Sequence, residues 1–192
     1  MKNHFAPLLL AAALASANSM AADTYVIDSA HSLQIFKYQH LGLSFARGRF
    51  DKTSGSITLD AGKKTGSADV SIDVNSINTG VAKLDEHLKG KDFFDAAQFP
   101  AITFKSSEFK FKGDQPESVA GDLTIHGVTK PVTLTITNFA CKDHPMAKLP
   151  ACAANATAHI KRSEFGVGGY VPMVSDEVEL DLEVEAIQKP AK

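Results

Sequence analysis

The chain has 192 residues, with 20 Lys and Arg against 22 Asp and Glu, a formal net charge of −2 and no Trp. This balance offers no basic excess for a nucleic-acid partner. Beyond the first two dozen residues no run approaches the ~18 apolar residues of a membrane-spanning helix, and the length suits a single domain with a substantial core.

Lys2 supplies a weakly positive start, Pro7 to Ala15 is apolar, and Ser19-Met20-Ala21 is a small-x-small cleavage site. This pattern predicts a secretory signal peptide over residues 1–21 and a mature domain over 22–192. No cysteine follows the cut, so the sequence offers no lipid-attachment site there. Removing Lys2 leaves 19 basic against 22 acidic residues, a net charge of −3.

The mature sequence is then written almost entirely in period two, the signature of half-buried strands. Tyr25 to Ile27 and Leu33 to His40 open the series, and Ile57 and Leu59 sit between polar neighbours. Ala68, Val70, Ile72 and Val74 alternate with Ser67, Asp69, Ser71 and Asp73. From Thr79 to Gly90 the period changes: Val81, Leu84 and Leu88 fall at helical spacing, with Thr79 as a candidate N-cap and Gly90 as a candidate left-handed stop. An aromatic turn, Asp92-Phe93-Phe94-Asp95, follows before Phe99-Pro100 enters the next strand. Ile102 and Phe104 are out of phase with Phe109 and Phe111, and Ser106-Ser107 marks the slip as a bulge. Leu123 and Ile125 lead through a Gly-containing break to Val132, Leu134 and Ile136, a tight hairpin. Ala154, Ala156, Ala158 and Ile160 form one face, and Val178, Leu180, Leu182 and Val184 another.

Strands with one apolar and one polar face, at hairpin spacing and without internal repeats, predict an all-β antiparallel barrel or sandwich with one short helix. In an exported chain the even cysteine count favours a Cys141–Cys152 disulfide, closing a short loop with roughly 2–3 kcal/mol of chain-entropy stabilisation; two free buried thiols are the alternative. The alanine face is small for a strand that must fill a core. About eight strands enclose a space that side chains just fill or that holds one ligand. The alanines point to a cavity, whereas the phenylalanines opposite point to filling.

Four stretches carry a resemblance: YVIDSAHSLQIFKYQHLGLSFARGRF from Tyr25, LDEHLKGKDFFDAAQFPAITFKS from Leu84, GDLTIHGVTKPVTL from Gly121, and RSEFGV from Arg162 with SDEVELDLEVEAI from Ser175. In order and spacing the mature chain resembles the YceI-like family of exported lipid-binding proteins. The resemblance implies an extended, lipocalin-like antiparallel β-barrel of about eight strands. It also implies a periplasmic location and a polyisoprenoid ligand, ubiquinone-8 or a prenyl phosphate, with no further cofactor. At Leu84 the family usually has Arg, while Asp85 and His87 match its pattern; the loss of that Arg favours an uncharged head such as a quinone.

A prenyl tail has no hydrogen-bonding groups and must be held by apolar side chains. The candidates are Ile35, Leu41, Phe45, Phe50, Leu84, Leu88, Phe93, Phe94, Phe99, Phe104, Leu123, Phe139, Ala156 and Phe165. Both faces of the Ile35 strand are apolar, since Phe36 and Tyr38 have the other parity. A head group needs donors at a mouth, for which His40, Gly42, Arg47, Arg49, Asp85 and His87 are the candidates. Transient membrane contact and pairing of two copies through edge strands are compatible with this scheme.

Other readings compete. Asp28, His31 and Ser32 contain the residue types of a hydrolase or isomerase site, without a nucleophile-elbow sequence. His40, His87, His126, His144 and His159 show no metal-binding spacing. A fully packed barrel serving as a surface interaction module is the third.

Overall fold

The computed structural model describes residues 22–189, so the signal-peptide segment lies outside the described residues. Eleven strands and one α-helix follow one another: β1 (Asp23–Ile27), β2 (Gln34–His40), β3 (Ser44–Phe50), β4 (Thr53–Asp60), β5 (Thr65–Asp73), β6 (Ile77–Asn78), α1 (Ala82–Lys89), β7 (Ala101–Lys112), β8 (Gln115–Ile125), β9 (Val128–Asp143), β10 (Pro150–Lys161) and β11 (Glu177–Gln188). All pairings are antiparallel. β1 pairs with both β4 and β11, which closes the ring β1-β4-β5-β7-β8-β9-β10-β11.

Eleven strands make eight wall positions because the early strands are broken. β11 pairs with β1 near its end, at Ala186 to Gln188, and with β2 earlier, at Glu179 to Leu182. β1 and β2 therefore share one wall position, interrupted by a single 3-10 turn at Ser29–His31. A second 3-10 turn, Val74–Ser76, separates β5 from β6. These breaks extend the barrel along its axis.

Local chemistry accounts for the connections. The β8–β9 hairpin turns on His126 and Gly127, both at positive φ, the conformation that matches strand twist in a tight turn. The phase slip at Ser106-Ser107 is a register shift between β7 and β8; the Ser106 hydroxyl bonds Ala120 O and accepts from Glu108 N. Gly48 leaves room for the Phe36 ring, which lies where a Cβ would be. The disulfide is formed: Cys141 and Cys152 are direct partners on β9 and β10, with Cα atoms 4.1 Å apart.

The helix differs from its predicted ends. It starts at Ala82 after Val81, which offers no side-chain cap, and Gly90 stops it at φ −69° rather than in a left-handed turn. Asp85 explains the start. Its carboxylate accepts from both the Thr79 N–H and hydroxyl at 2.7 Å, so Thr79 is tied to the helix as a donor instead of capping it.

Candidate functional site

The inward parities of the strands define a continuous apolar space. On β10 the inward residues Ala154, Ala156 and Ala158 face Val184, Leu182 and Leu180 of β11 in register. The small alanine side chains leave the lumen open, and a cavity of about 510 Å³ runs through the barrel. Cys152 and Arg162 both line it; strand rise places them roughly 33 Å apart along the chain. With a typical barrel tilt this is about 25 Å of axial length. Tyr25, Cys152 and Ala186, all buried, pack together at one end. At the other end His40, Leu41, His87, Tyr170 and Met173 line the cavity while remaining exposed, and so mark its mouth.

Most of the residues expected to hold a tail lie on this wall: Leu41, Phe50, Leu84, Leu88, Phe93, Phe94, Phe104, Leu123, Phe139 and Ala156. Three do not. Phe45 is 61% exposed on the outer face, with Lys37 Nζ 5.0 Å above its ring. Phe99 packs edge-on to His126 at 4.6 Å beneath the β8–β9 turn. Phe165 is 1% exposed inside the core, outside the cavity lining. Ile35 borders the cavity but shares its strand face with Arg49 and Asp181, both on the outer surface. The inward parity of β2 belongs instead to Gln34, Phe36, Tyr38 and His40.

Of the head-group candidates, His40 and His87 reach the cavity. His87 packs against Phe93 at 5.0 Å and Tyr170 at 6.1 Å. Gly42 is at the tip of the β2–β3 turn, where φ of +67° requires its freedom. Arg47 and Arg49 sit on the outer face of β3, Arg49 bonded to Asp51 at 2.6 Å, and Asp85 is consumed by Thr79.

The polar residue that composition did not single out is Arg162. It is 8% exposed and lines the cavity. Its guanidinium donates to four backbone carbonyls, Ser175 O at 2.8 Å, Val167 O at 2.7 Å, Gly169 O at 2.8 Å and Val174 O at 2.9 Å. Burial pulls its pKa down and nearby Asp176 and Tyr38 pull it back, yet a guanidinium stays charged in proteins. Burial likewise raises the Tyr38 hydroxyl. Among the described residues no Asp or Glu lines the cavity. The polar wall thus offers donors from Tyr38, His40, His87 and Tyr170 to a ligand's acceptor oxygens, with the Arg162 charge held by its own carbonyls, and no carboxylate to a cation. In the sequence Arg162 stands out only as part of RSEFGV; its use as a clamp depends on carbonyls up to thirteen residues away, which spacing does not reveal.

The Asp28, His31 and Ser32 group does not assemble as a nucleophilic relay. Asp28 does bond His31 Nδ1 at 2.9 Å, on the surface. Ser32, fully buried, donates to Glu185 O and accepts from Glu185 N, and no hydrogen bond joins it to His31. Among the described residues no three His, Cys, Asp or Glu side chains gather as a metal site.

Comparison with known proteins agrees with this geometry. The model of the YceI-like domain matches residues 25–186. The chain belongs to the YceI-like family. A protein named UPF0312 from Pseudomonas savastanoi pv. phaseolicola is 38% identical, over 98% of this chain and 99% of its own. BcnA of Burkholderia cenocepacia superposes with a TM-score of 0.69 at 30% identity, covering 83% of this chain and 99% of that one. A polyisoprenoid-binding domain from Saccharophagus degradans implicated in plant cell wall breakdown superposes with a TM-score of 0.64 at 17% identity, over 86% of this chain and 98% of its own. That likeness attests the closed eight-strand barrel.

Proposed function

We propose that the protein is a non-catalytic periplasmic carrier that holds one polyisoprenoid lipid in its lumen, tail inward and head at the mouth. The observation that supports this most directly is a continuous apolar cavity with exposed lining residues at one end. The S. degradans domain's description as polyisoprenoid-binding points the same way. The disulfide fits an oxidising compartment. A quinone such as ubiquinone-8 suits a mouth in which Leu84 replaces the family's usual Arg, with His40 and His87 as donors to the ring oxygens.

Energetics favour a carrier over a sink. At about 0.8 kcal/mol per buried methylene-sized group, one five-carbon unit is worth roughly 4 kcal/mol against water. Five such units would already reach the practical ceiling of about 20 kcal/mol. Against a bilayer, however, the apolar gain is near zero, so head contacts and packing decide loading and release.

Organic extraction and mass spectrometry of protein purified from a bacterial host test this reading. An isoprenoid quinone at a substantial molar fraction is expected. An extract free of prenyl lipid, even after exposure of the protein to ubiquinone-8 in detergent, would end it.

A further inference from the structure

We propose that the rim of the lumen, formed by the β2–β3 turn and the loop from Gly166 to Ser175, is a bilayer-docking tip that enters the hydrocarbon of a membrane surface. Leu41 (52% exposed), Leu43 (84%), Tyr170 (54%), Val171 (39%) and Met173 (57%) all lie on these two segments. The segments form one surface: Leu41 N donates to Met173 O at 2.8 Å, Ser175 N donates to Gln39 O at 2.9 Å, and His40 bridges to Val174. Large apolar side chains gathered on a soluble surface mark an interaction site.

Charge selects the partner. Neither Leu41 to Ala46 nor Gly166 to Ser175 contains an Asp, Glu, Lys, Arg or His. The two segments bring no charged side chain of their own into hydrocarbon, the neighbouring polar groups being the imidazoles His40 and His87 at the mouth, which matches an uncharged medium and not a charged protein partner. Leu41 and Tyr170 are both held at positive φ, +54° and +62°, a backbone state that bulky residues rarely take. The fold maintains that state while leaving both side chains at the surface. Arg162 clamps the carbonyls of Val167, Gly169, Val174 and Ser175, so the second loop is presented ready-made. Leu41, Tyr170 and Met173 also line the cavity, so a docked rim would join the lumen to the hydrocarbon without an aqueous step. The assignment of a bilayer, rather than a second copy of the chain, rests on the lipid-carrying reading.

The absence of Trp in the sequence makes the test direct. Leu43→Trp places a single reporter on the rim and outside the cavity lining. With phosphatidylcholine vesicles its emission should shift to the blue and be quenched by brominated acyl chains. The shift should persist at high salt and gain little from added phosphatidylglycerol, because apolar entry is not screened. The double variant Leu43→Asp/Val171→Asp, loaded with ubiquinone-8 in detergent, should keep its cargo but deliver it to vesicles about tenfold more slowly or worse, since carboxylates resist entry. An unshifted Trp spectrum, or binding abolished by salt, would overturn the proposal. So would light scattering showing a dimer that Leu43→Asp dissociates, together with no vesicle binding, because the rim would then be a self-interface. The two readings fail separately: vesicle entry without extractable prenyl lipid sinks the carrier and spares the docking tip, while loaded protein that ignores vesicles does the reverse.

Discussion

Replacing Ala156 by Phe puts a ring on the alanine face of the lumen wall. Ala156 is 6% exposed, faces Leu182 on β11 and Ile136 on β9, and lies four residues along β10 from Cys152, roughly 13 Å by strand rise. In a solid core such an insertion forces neighbours off their rotamers and destabilises by about 1–3 kcal/mol or more. A hollow lumen absorbs the ring, so the loss of stability should stay below about 1 kcal/mol. The ring's six added carbons displace about one prenyl unit, roughly 4 kcal/mol against water. Loss of cargo into buffer should then be about a thousandfold faster. Partition against vesicles should change only a few-fold, because the displaced unit moves into hydrocarbon. Wild type and variant would be loaded with isoprenoid quinones of increasing tail length and passed through gel filtration. Retained quinone would be counted by mass spectrometry, with urea denaturation as the control for folding. The shortest tails should be kept and the longest lost. Equal retention at every length by a stably folded variant would remove Ala156 from the path of the tail, and a large loss of stability would mean that the lumen is filled by its own side chains.

Arg162→Met should cost about 3 kcal/mol in urea denaturation, because four charge-assisted bonds disappear and their carbonyls lose a buried partner. It should also open residues 166–175 to proteolysis, and Arg162→Lys should restore only part of the protection; an uncut, fully stable Met variant would show that the loop is held by other contacts. For the surface pair, the bond to Asp28 raises the His31 pKa, and the same bond lowers that of Asp28. The histidine contribution is complete below its unfolded value near 6.5 and is lost as pH rises through the raised value. The Asp28 contribution is present above its unfolded value near 3.8 and is lost as pH falls through the lowered one. His31→Gln should therefore narrow the stability difference from wild type to nothing by about pH 9 and show a small deficit near pH 5; an equal deficit at both, in urea midpoints, would contradict the assignment.

The parts legible in the sequence are those in which one residue's neighbours along the chain decide its fate. Alternation fixes which face of a strand turns inward, so the Ala154 to Ile160 and Val178 to Val184 faces could be read directly, as could the bulge at Ser106-Ser107. Alternation fails where both parities are apolar. On β2 the inward set proved to be Phe36 and Tyr38, and the deciding facts are cross-strand: Leu180 lies opposite Phe36 and Gly48 lies beneath its ring. Phe45 shares its parity with Arg47 and Arg49, so alternation along β3 itself places it on the outer face, where Lys37 of the partner strand lies over its ring. Phe165 and Phe99 lie outside regular strands, where no period operates. The mouth was half visible. His40 and His87 stand in quoted motifs, while Tyr170 and Met173 come from a loop whose position depends on Arg162 bonds that local sequence cannot express.

Hollowness carries a consequence for the empty barrel itself. A void lined by apolar groups forfeits the dispersion contacts that a filled core would make. The wall must then be held by other means: ring closure through β1, the covalent Cys141–Cys152 tie, and dense clusters such as Val74, Ile77, Phe165 and Val167 outside or at the edge of the lumen. Any ligand that fills the space binds only the folded state, so it stabilises that state in proportion to the logarithm of its concentration over its dissociation constant. Carriage and stability are therefore coupled through the same 510 Å³. On the proposed carrier function, protein that has surrendered its tail to a membrane is the less stable form, so the empty barrel is driven to refill wherever prenyl chains are abundant.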